Sequence, residues 1–278
     1  MRLLLTLVSL AVPMLLHAQS SLGRYHLDSS HPSSVTVADQ LREISGLVSL
    51  EDGRVFAHND EYGIIYQIDP SNGKILKRFS LGKKPLKGDF EDITFVSNRF
   101  FMVRSDGVLF EFAEGGAEKS VEYRQINTGL TSRNNIEGLC FDPATNSLLL
   151  VCKDNPGGGY RDVKAVWSFS LEKMTLKKRP RFLLPEKKLA ESSRGNKFHP
   201  SGIARNPSTG TFYIIAGAGE AIIEVSADGE ILGQVTFPKG VHKQAEGITF
   251  LPDGSLLISD EGKGDQGKIA RYRQQKQK

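Results

Sequence analysis

The chain has 278 residues, with 36 Lys and Arg against 32 Asp and Glu, a formal charge of +4, and two cysteines. That charge is too small for a nucleic-acid binder, which gathers a basic face, and two cysteines are too few for a disulfide scaffold. No cluster of His and Cys has zinc spacing, and no GxSxG elbow, phosphate-cradling loop or Cys/His nucleophile pattern occurs.

Residues 1–18 read as an export signal: Arg2 at the positive end, an apolar run broken by Pro13, and Leu16-His17-Ala18 as a small-residue cleavage site. The run is shorter than the roughly 20 residues of a membrane span, so the mature chain is expected to be a monomer that spans no membrane, periplasmic or extracellular. An uncleaved N-terminal anchor is the alternative. Residues 19–42 are polar and contain one strand candidate, VTV at 35–37.

From residue 43 a short phrase returns five times: EISGL at 43–47, DFEDITF at 89–95, NIEGLCF at 135–141, HPSGIAR at 199–205 and QAEGITF at 244–250. Aligned on Gly46, Asp92, Gly138, Gly202 and Gly247, the intervals are 46, 46, 64 and 45 residues. Self-similarity at roughly 40–50 residues points to a propeller or a solenoid. Each unit holds short β-rich runs separated by Gly, Asn, Asp and Pro clusters, as serial hairpins do. Unit one has four runs, ISGLVSL, VFAHN, IIYQID and ILKRFSL. Unit two has DITFV, RFFMVR, VLFEF and VEYRQI, and unit three has GLCFD, SLLLVCK, AVWSFSL and RFLL. Two insertions, the NPGGGYRD loop and residues 185–197 with an expected helical turn, account for the 64-residue interval. Unit four repeats the plan. Unit five has only three runs.

The missing strand of unit five matches the spare strand near the N-terminus. A closed ring must tie its first and last blades together, because an open sheet edge is a liability. The expectation is therefore an all-β, five-bladed β-propeller over residues 43–274, closed by an N-terminal strand from residues 22–38 in the last blade; six blades is the alternative. Residues 275–278 end a solvated basic tail. Cys140 and Cys152 fall in one hairpin, and pairing Asp142 with Ser147 sets Leu149 opposite Cys140, so both cysteines are expected to be free and buried. Trp167 is expected to pack in the core.

In a propeller the start of each first strand and the end of each second strand lie at one mouth of the central channel. Glu43, Glu91, Glu137 and Glu246 stand at first-strand starts, and Asp60, Asp106, Asp154 and Asp260 at second-strand ends. Like charges in a narrow site raise one another's pKa unless a cation sits among them. Calcium, which accepts 6 to 8 oxygen ligands in flexible geometry, suits such a ring, and these eight residues are its candidate ligands. The competing uses are ordinary: a Glu before Gly can accept backbone N–H groups from the next blade, and Asp106 or Asp60 can serve a turn. Blade four, with Ser201 and Gly217 to Gly219, lacks the acids and is expected to leave the ring open. His58, Arg104, Lys153, His199 and His242 lie near the same mouth as candidate ligand-binding groups for a small anionic ligand. Arg104 and Lys153 could instead neutralise neighbouring acids, and His199 or His242 could act as a general base near pH 7.

EISGL at 43, HNDE at 58, KGDFEDITF at 87, IEGLCFDP at 136, HPSGIARNPSTG at 199 and QAEGITFLPDG at 244, taken in order over residues 40–262, resemble the SdiA-regulated (YjiK/CarP-like) bacterial β-propellers. The resemblance implies an exported propeller, with calcium suggested for some members, and implicates Glu43, Glu91, Glu137, Glu246, Asp60 and Asp260. It implies no reaction. Three functions follow as expectations: a non-catalytic calcium-binding propeller that senses or binds a ligand or an envelope protein; a calcium-dependent hydrolase, phytase-like phosphoesterase or lactonase/esterase; and a metal-free interaction scaffold.

Overall fold

The computed structural model describes residues 19–275, and the expected signal and the last three residues of the tail lie outside them. The strands run in chain order as five antiparallel sheets around one axis. A short β1 (Ser33–Thr36) comes first. Blade one follows as β2 (Ile44–Ser49), β3 (Val55–Asn59), β4 (Ile64–Ile68) and β5 (Ile75–Leu81). Blade two holds β6 (Phe90–Val96), β7 (Arg99–Arg104), β8 (Val108–Phe112) and β10 (Tyr123–Asn127), and β9 (Lys119–Val121), between β8 and β10 in the chain, joins the sheet of blade one. Blade three holds β11 (Ile136–Asp142), β12 (Ser147–Cys152), β13 (Val163–Ser170), β14 (Thr175–Leu176) and β15 (Phe182–Pro185), with a helical turn, α1 (Glu186–Ala190), inside the expected insertion. Blade four is β16 (His199–Arg205), β17 (Phe212–Ala218), β18 (Ala221–Val225) and β19 (Ile231–Thr236). Blade five has β20 (Ala245–Phe250), β21 (Leu256–Asp260) and β22 (Lys268–Tyr272), and β1 completes it, antiparallel to β22 with Val35 opposite Ile269.

The five-bladed, N-terminally closed ring is as expected, and so is the Cys hairpin: Cys140 lies opposite Leu149, and both thiols are free and buried. Two outer strands differ. The expected VEYRQI strand begins later, at Tyr123, because the residues before it leave blade two as β9 and pair parallel to β5 of blade one. In blade three the outer strand is split into β14 and β15, both antiparallel to β13. The bulging stretch between them contains Pro180, which has no N–H to donate to a ladder.

The core is not one mass but five clusters, each between neighbouring blades. Phe56 of blade one meets Phe100 of blade two with ring centroids 5.0 Å apart, and Phe100 stacks on Phe112 at 5.5 Å. Trp167 packs between blades two and three, and its indole N–H donates to the Pro156 carbonyl at 2.9 Å. Each such aromatic contributes about 1.5–3 kcal/mol by leaving water. The N-terminal segment is tied down before it reaches blade five. Buried Glu224 of β18 accepts hydrogen bonds from the Ser21 N–H at 2.5 Å, the Ser21 hydroxyl at 2.7 Å and the Thr211 hydroxyl at 2.6 Å.

Candidate functional site: an acid-lined channel mouth

Side chains two apart along a strand share a face, so each innermost strand sends alternate residues into the channel. One residue beyond the repeat glycine stand Leu47, Ile93, Leu139, Ile203 and Ile248, each 1–2% exposed, which meet on the axis as an apolar plug. One residue before it stand Ser45, Glu91, Glu137, Ser201 and Glu246. Three residues before it stand Glu43, Asp89, Asn135, His199 and Gln244. Except for Ser201 and His199 of blade four, these two tiers, above the plug, line a cavity of about 330 Å³. Asp60, Lys153 and Glu261, from the residues that follow β3, β12 and β21, complete its wall.

Seven carboxylates, Glu43, Asp60, Asp89, Glu91, Glu137, Glu246 and Glu261, therefore share one cavity with a single cation. That cation is Lys153, whose Nζ donates to Glu137 Oε1 at 2.9 Å. Burial, reinforced by neighbouring carboxylates, raises the pKa values of four of them, Asp60, Glu91, Glu137 and Glu246. Asp60 rises to about 6 through burial and the charge of Glu43, and Glu246 to about 8 through burial and the charge of Glu137. Glu91 is also held well above the carboxylate range, by burial and by Glu137. Glu137 is raised by burial in spite of Lys153. Asp60 Oδ1 is buried without a hydrogen-bond partner. The donor set is entirely hard oxygen, carboxylates with the amide oxygens of Asn135 and Gln244, and this suits calcium. Among the described residues no three His, Cys, Asp or Glu side chains converge closely enough to hold an ion as they stand.

Of the eight candidate metal ligands, Glu43, Asp60, Glu91, Glu137 and Glu246 line the cavity. The other three are engaged elsewhere. Asp106 accepts two hydrogen bonds from Arg104, at 3.0 and 2.6 Å, a neutralising ion pair. Asp154 accepts from Asn135 Nδ2 at 3.1 Å. Asp260 lies 2.7 Å from Nδ1 of His242, and His242 Nε2 lies 2.7 Å from the Tyr272 hydroxyl. Among the candidate ligand-binding residues only Lys153 reaches the cavity. His242 is wholly buried in its Tyr272–Asp260 clasp, and half-buried His199 lies outside the lining. His58 is buried beneath the cavity; its Nδ1 donates to the Asn59 carbonyl at 2.8 Å, and burial lowers its pKa to about 4.

Asp89, Asn135 and Gln244 are not among the candidates, and Glu261 stands beside Asp260 at the same second-strand end without being one of the eight. The signal for them was the two-residue period: Glu43 is the counterpart of Asp89, and the counterpart of Glu91 is Ser45. In the same way Glu261 points inward because Asp260, one residue earlier, is paired with Ala245 and points away. Ser45 and Ser201 use their hydroxyls on the next blade, donating to the Glu91 and Ala245 carbonyls at 2.8 and 2.5 Å. Among the described residues blade four gives none to the cavity lining, which leaves that side without acids. The backbone-capping role open to the glutamates falls instead to Asp92, which replaces the repeat glycine. Its buried carboxylate accepts the N–H of Ile93 at 2.8 Å and of Leu139, in the next blade, at 2.7 Å.

The fold is shared widely. Glutaminyl cyclase of Myxococcus xanthus matches with a TM-score of 0.58 at 14% identity, covering 87% of this chain and 95% of that one. A luciferin-regenerating enzyme matches with a TM-score of 0.56 at 10% identity, again over 87% of this chain and 95% of that one. At such identities the likeness is one of fold. No curated protein matches the chain. The sequence is matched by the model of the SdiA-regulated family, a β-propeller family, over residues 175–277, from β14 through the last blade, and this agrees with the resemblance carried by the repeat phrases.

Proposed function

We propose that the protein is a calcium-binding propeller whose acid mouth holds the ion and offers it to a small anionic ligand or to a partner in the cell envelope. The observation that carries this reading is the imbalance of seven carboxylates against Lys153 in one cavity, with Glu91, Glu137 and Glu246 kept above their ordinary pKa values. Glu91, Glu137 and Glu246 are the inner ligands in this reading, with Glu43, Asp89 and the Asn135 amide oxygen in the tier above. When bound, calcium supplies the positive charge that otherwise only Lys153 and protons on the acids provide there. Export, with residence outside the cytoplasm, rests on the sequence of residues 1–18. Hydrolysis is the weaker reading, because neither His199 nor His242 lines the cavity.

Thermal melting with calcium and with chelator tests the proposal. Calcium at about 100 times its dissociation constant stabilises a protein by about 2.7 kcal/mol, and a Glu91→Gln, Glu246→Gln double variant should lose most of that gain. A wild-type melting temperature indifferent to calcium would refute it.

A further inference from the structure

The channel has a second chamber on the other side of the plug. Its floor is the plug itself, and its volume is about 400 Å³, within the roughly 300–1,000 Å³ of small-molecule sites. The walls come from residues two and three beyond the repeat glycine. Phe95, Phe141 and Phe250 project from blades two, three and five, with Val48 and Ala204 between them. In this register blade one has Ser49 and blade four has Arg205.

Arg205 is the only cation among the lining residues, and its charge is incompletely matched. Its Nε is buried with no acceptor and lies 4.0 Å from Asp142 Oδ1. Arg181 Nε stands at the same 4.0 Å from Asp142 Oδ2, also without an acceptor. The Asp142 oxygens already accept hydrogen bonds from the Ala144 N–H at 3.1 Å and the Thr145 hydroxyl at 2.7 Å. Two guanidinium groups thus share one occupied carboxylate beside an apolar chamber. The lining's one acid, Glu51, is exposed to water.

We propose that this chamber binds an apolar molecule bearing one anionic group, a medium-chain carboxylate in its simplest form, with the hydrocarbon against Phe95, Phe141 and Phe250 and the anion on Arg205. A largely apolar cavity whose lining carries one cation fixes both the class and the orientation of its ligand, and a guanidinium whose Nε lacks an acceptor supplies the charge-assisted bond. The site is separate from the acid mouth and of opposite chemistry.

Isothermal titration of the whole protein with decanoate, decyltrimethylammonium and acetate tests it. Decanoate should bind, whereas the same chain with a cationic head and the same head without the chain should not. Arg205→Met keeps the apolar stem and should weaken decanoate about tenfold or more, tenfold being about 1.4 kcal/mol of lost charge-assisted bonding. Ser49→Phe places in blade one the side chain that three other blades carry there, and should abolish binding by filling the chamber while the protein melts as a folded unit. Glu91→Gln should leave decanoate binding intact, so that failure of the acid-mouth reading would not touch this one. No heat with decanoate, equal binding of the cationic chain, or wild-type binding by the Ser49→Phe variant would each overturn the proposal.

Discussion

A carboxyl group buried among others keeps its proton, and that makes the protein's stability depend on pH. Glu246 holds its proton up to about pH 8 in the folded chain, against an ordinary value of 4.5, and Asp60 to about 6 against 3.8. Between the ordinary and the raised value the folded state binds a proton that the unfolded state has released. Stability is therefore full below the ordinary value and falls as pH rises through the window, by about 1.4 kcal/mol per pH unit for each proton held back. The metal-free protein should accordingly melt highest near pH 5 and progressively lower toward pH 8, with calcium flattening the decline. Glu246→Gln, which imitates the protonated acid, should melt above wild type at pH 8 without calcium and lose that advantage near pH 4.5. A metal-free melting temperature that climbs from pH 5 to 8 would contradict the assignment.

At the scale of the strand, the repeat glycine sets how closely one blade's inner strand approaches the next. A Cβ on Gly202 would lie 2.5 Å from the Glu246 carbonyl oxygen, a backbone atom that cannot swing away, whereas one on Gly138 would meet nothing nearer than the Ile203 nitrogen at 3.1 Å. Gly202→Ala should therefore cost about 1–3 kcal/mol by overpacking and Gly138→Ala distinctly less, a ranking that urea unfolding would show or reverse. The same phrase explains what could be read in advance. Its glycines and hydrophobic residues mark the inner strands, so blade number, closure and the Cys140–Leu149 register followed from spacing alone. The acids were harder, because proximity to a strand end does not say which face a side chain takes. Glu43 and Glu91 look equivalent until they are counted from Gly46 and Asp92, and Asp260 and Glu261 differ by one residue and so by a face. Nothing in the polarity of Lys119–Val121 announces that it joins a neighbouring blade. The pairing of Arg104 with Asp106 was open to sequence only as one of two uses.

Across the whole molecule, the N-terminal segment does two jobs: Ser21 clasps Glu224 in blade four, and β1 then covers the edge of blade five. Removing residues 19–36 would expose the β22 edge and leave buried Glu224 without its Ser21 donors. Uncovered edges pair with other chains, so the truncated protein should elute as larger species in size-exclusion chromatography with light scattering, and a monodisperse monomer would disprove this account of closure. The two ends also meet directly, since the Gln275 N–H donates to the Arg24 carbonyl at 2.8 Å. That pairing couples the fold to time. Blades one to four can form from hairpins as their residues become available, but blade five waits for a strand drawn from the opposite end of the chain, one of the longest-range pairings among the described residues. Such contacts slow folding because loop entropy is lost before the pairing repays it. The ring is thus a structure with a last step, and until that step the channel and both of its chambers are an open groove.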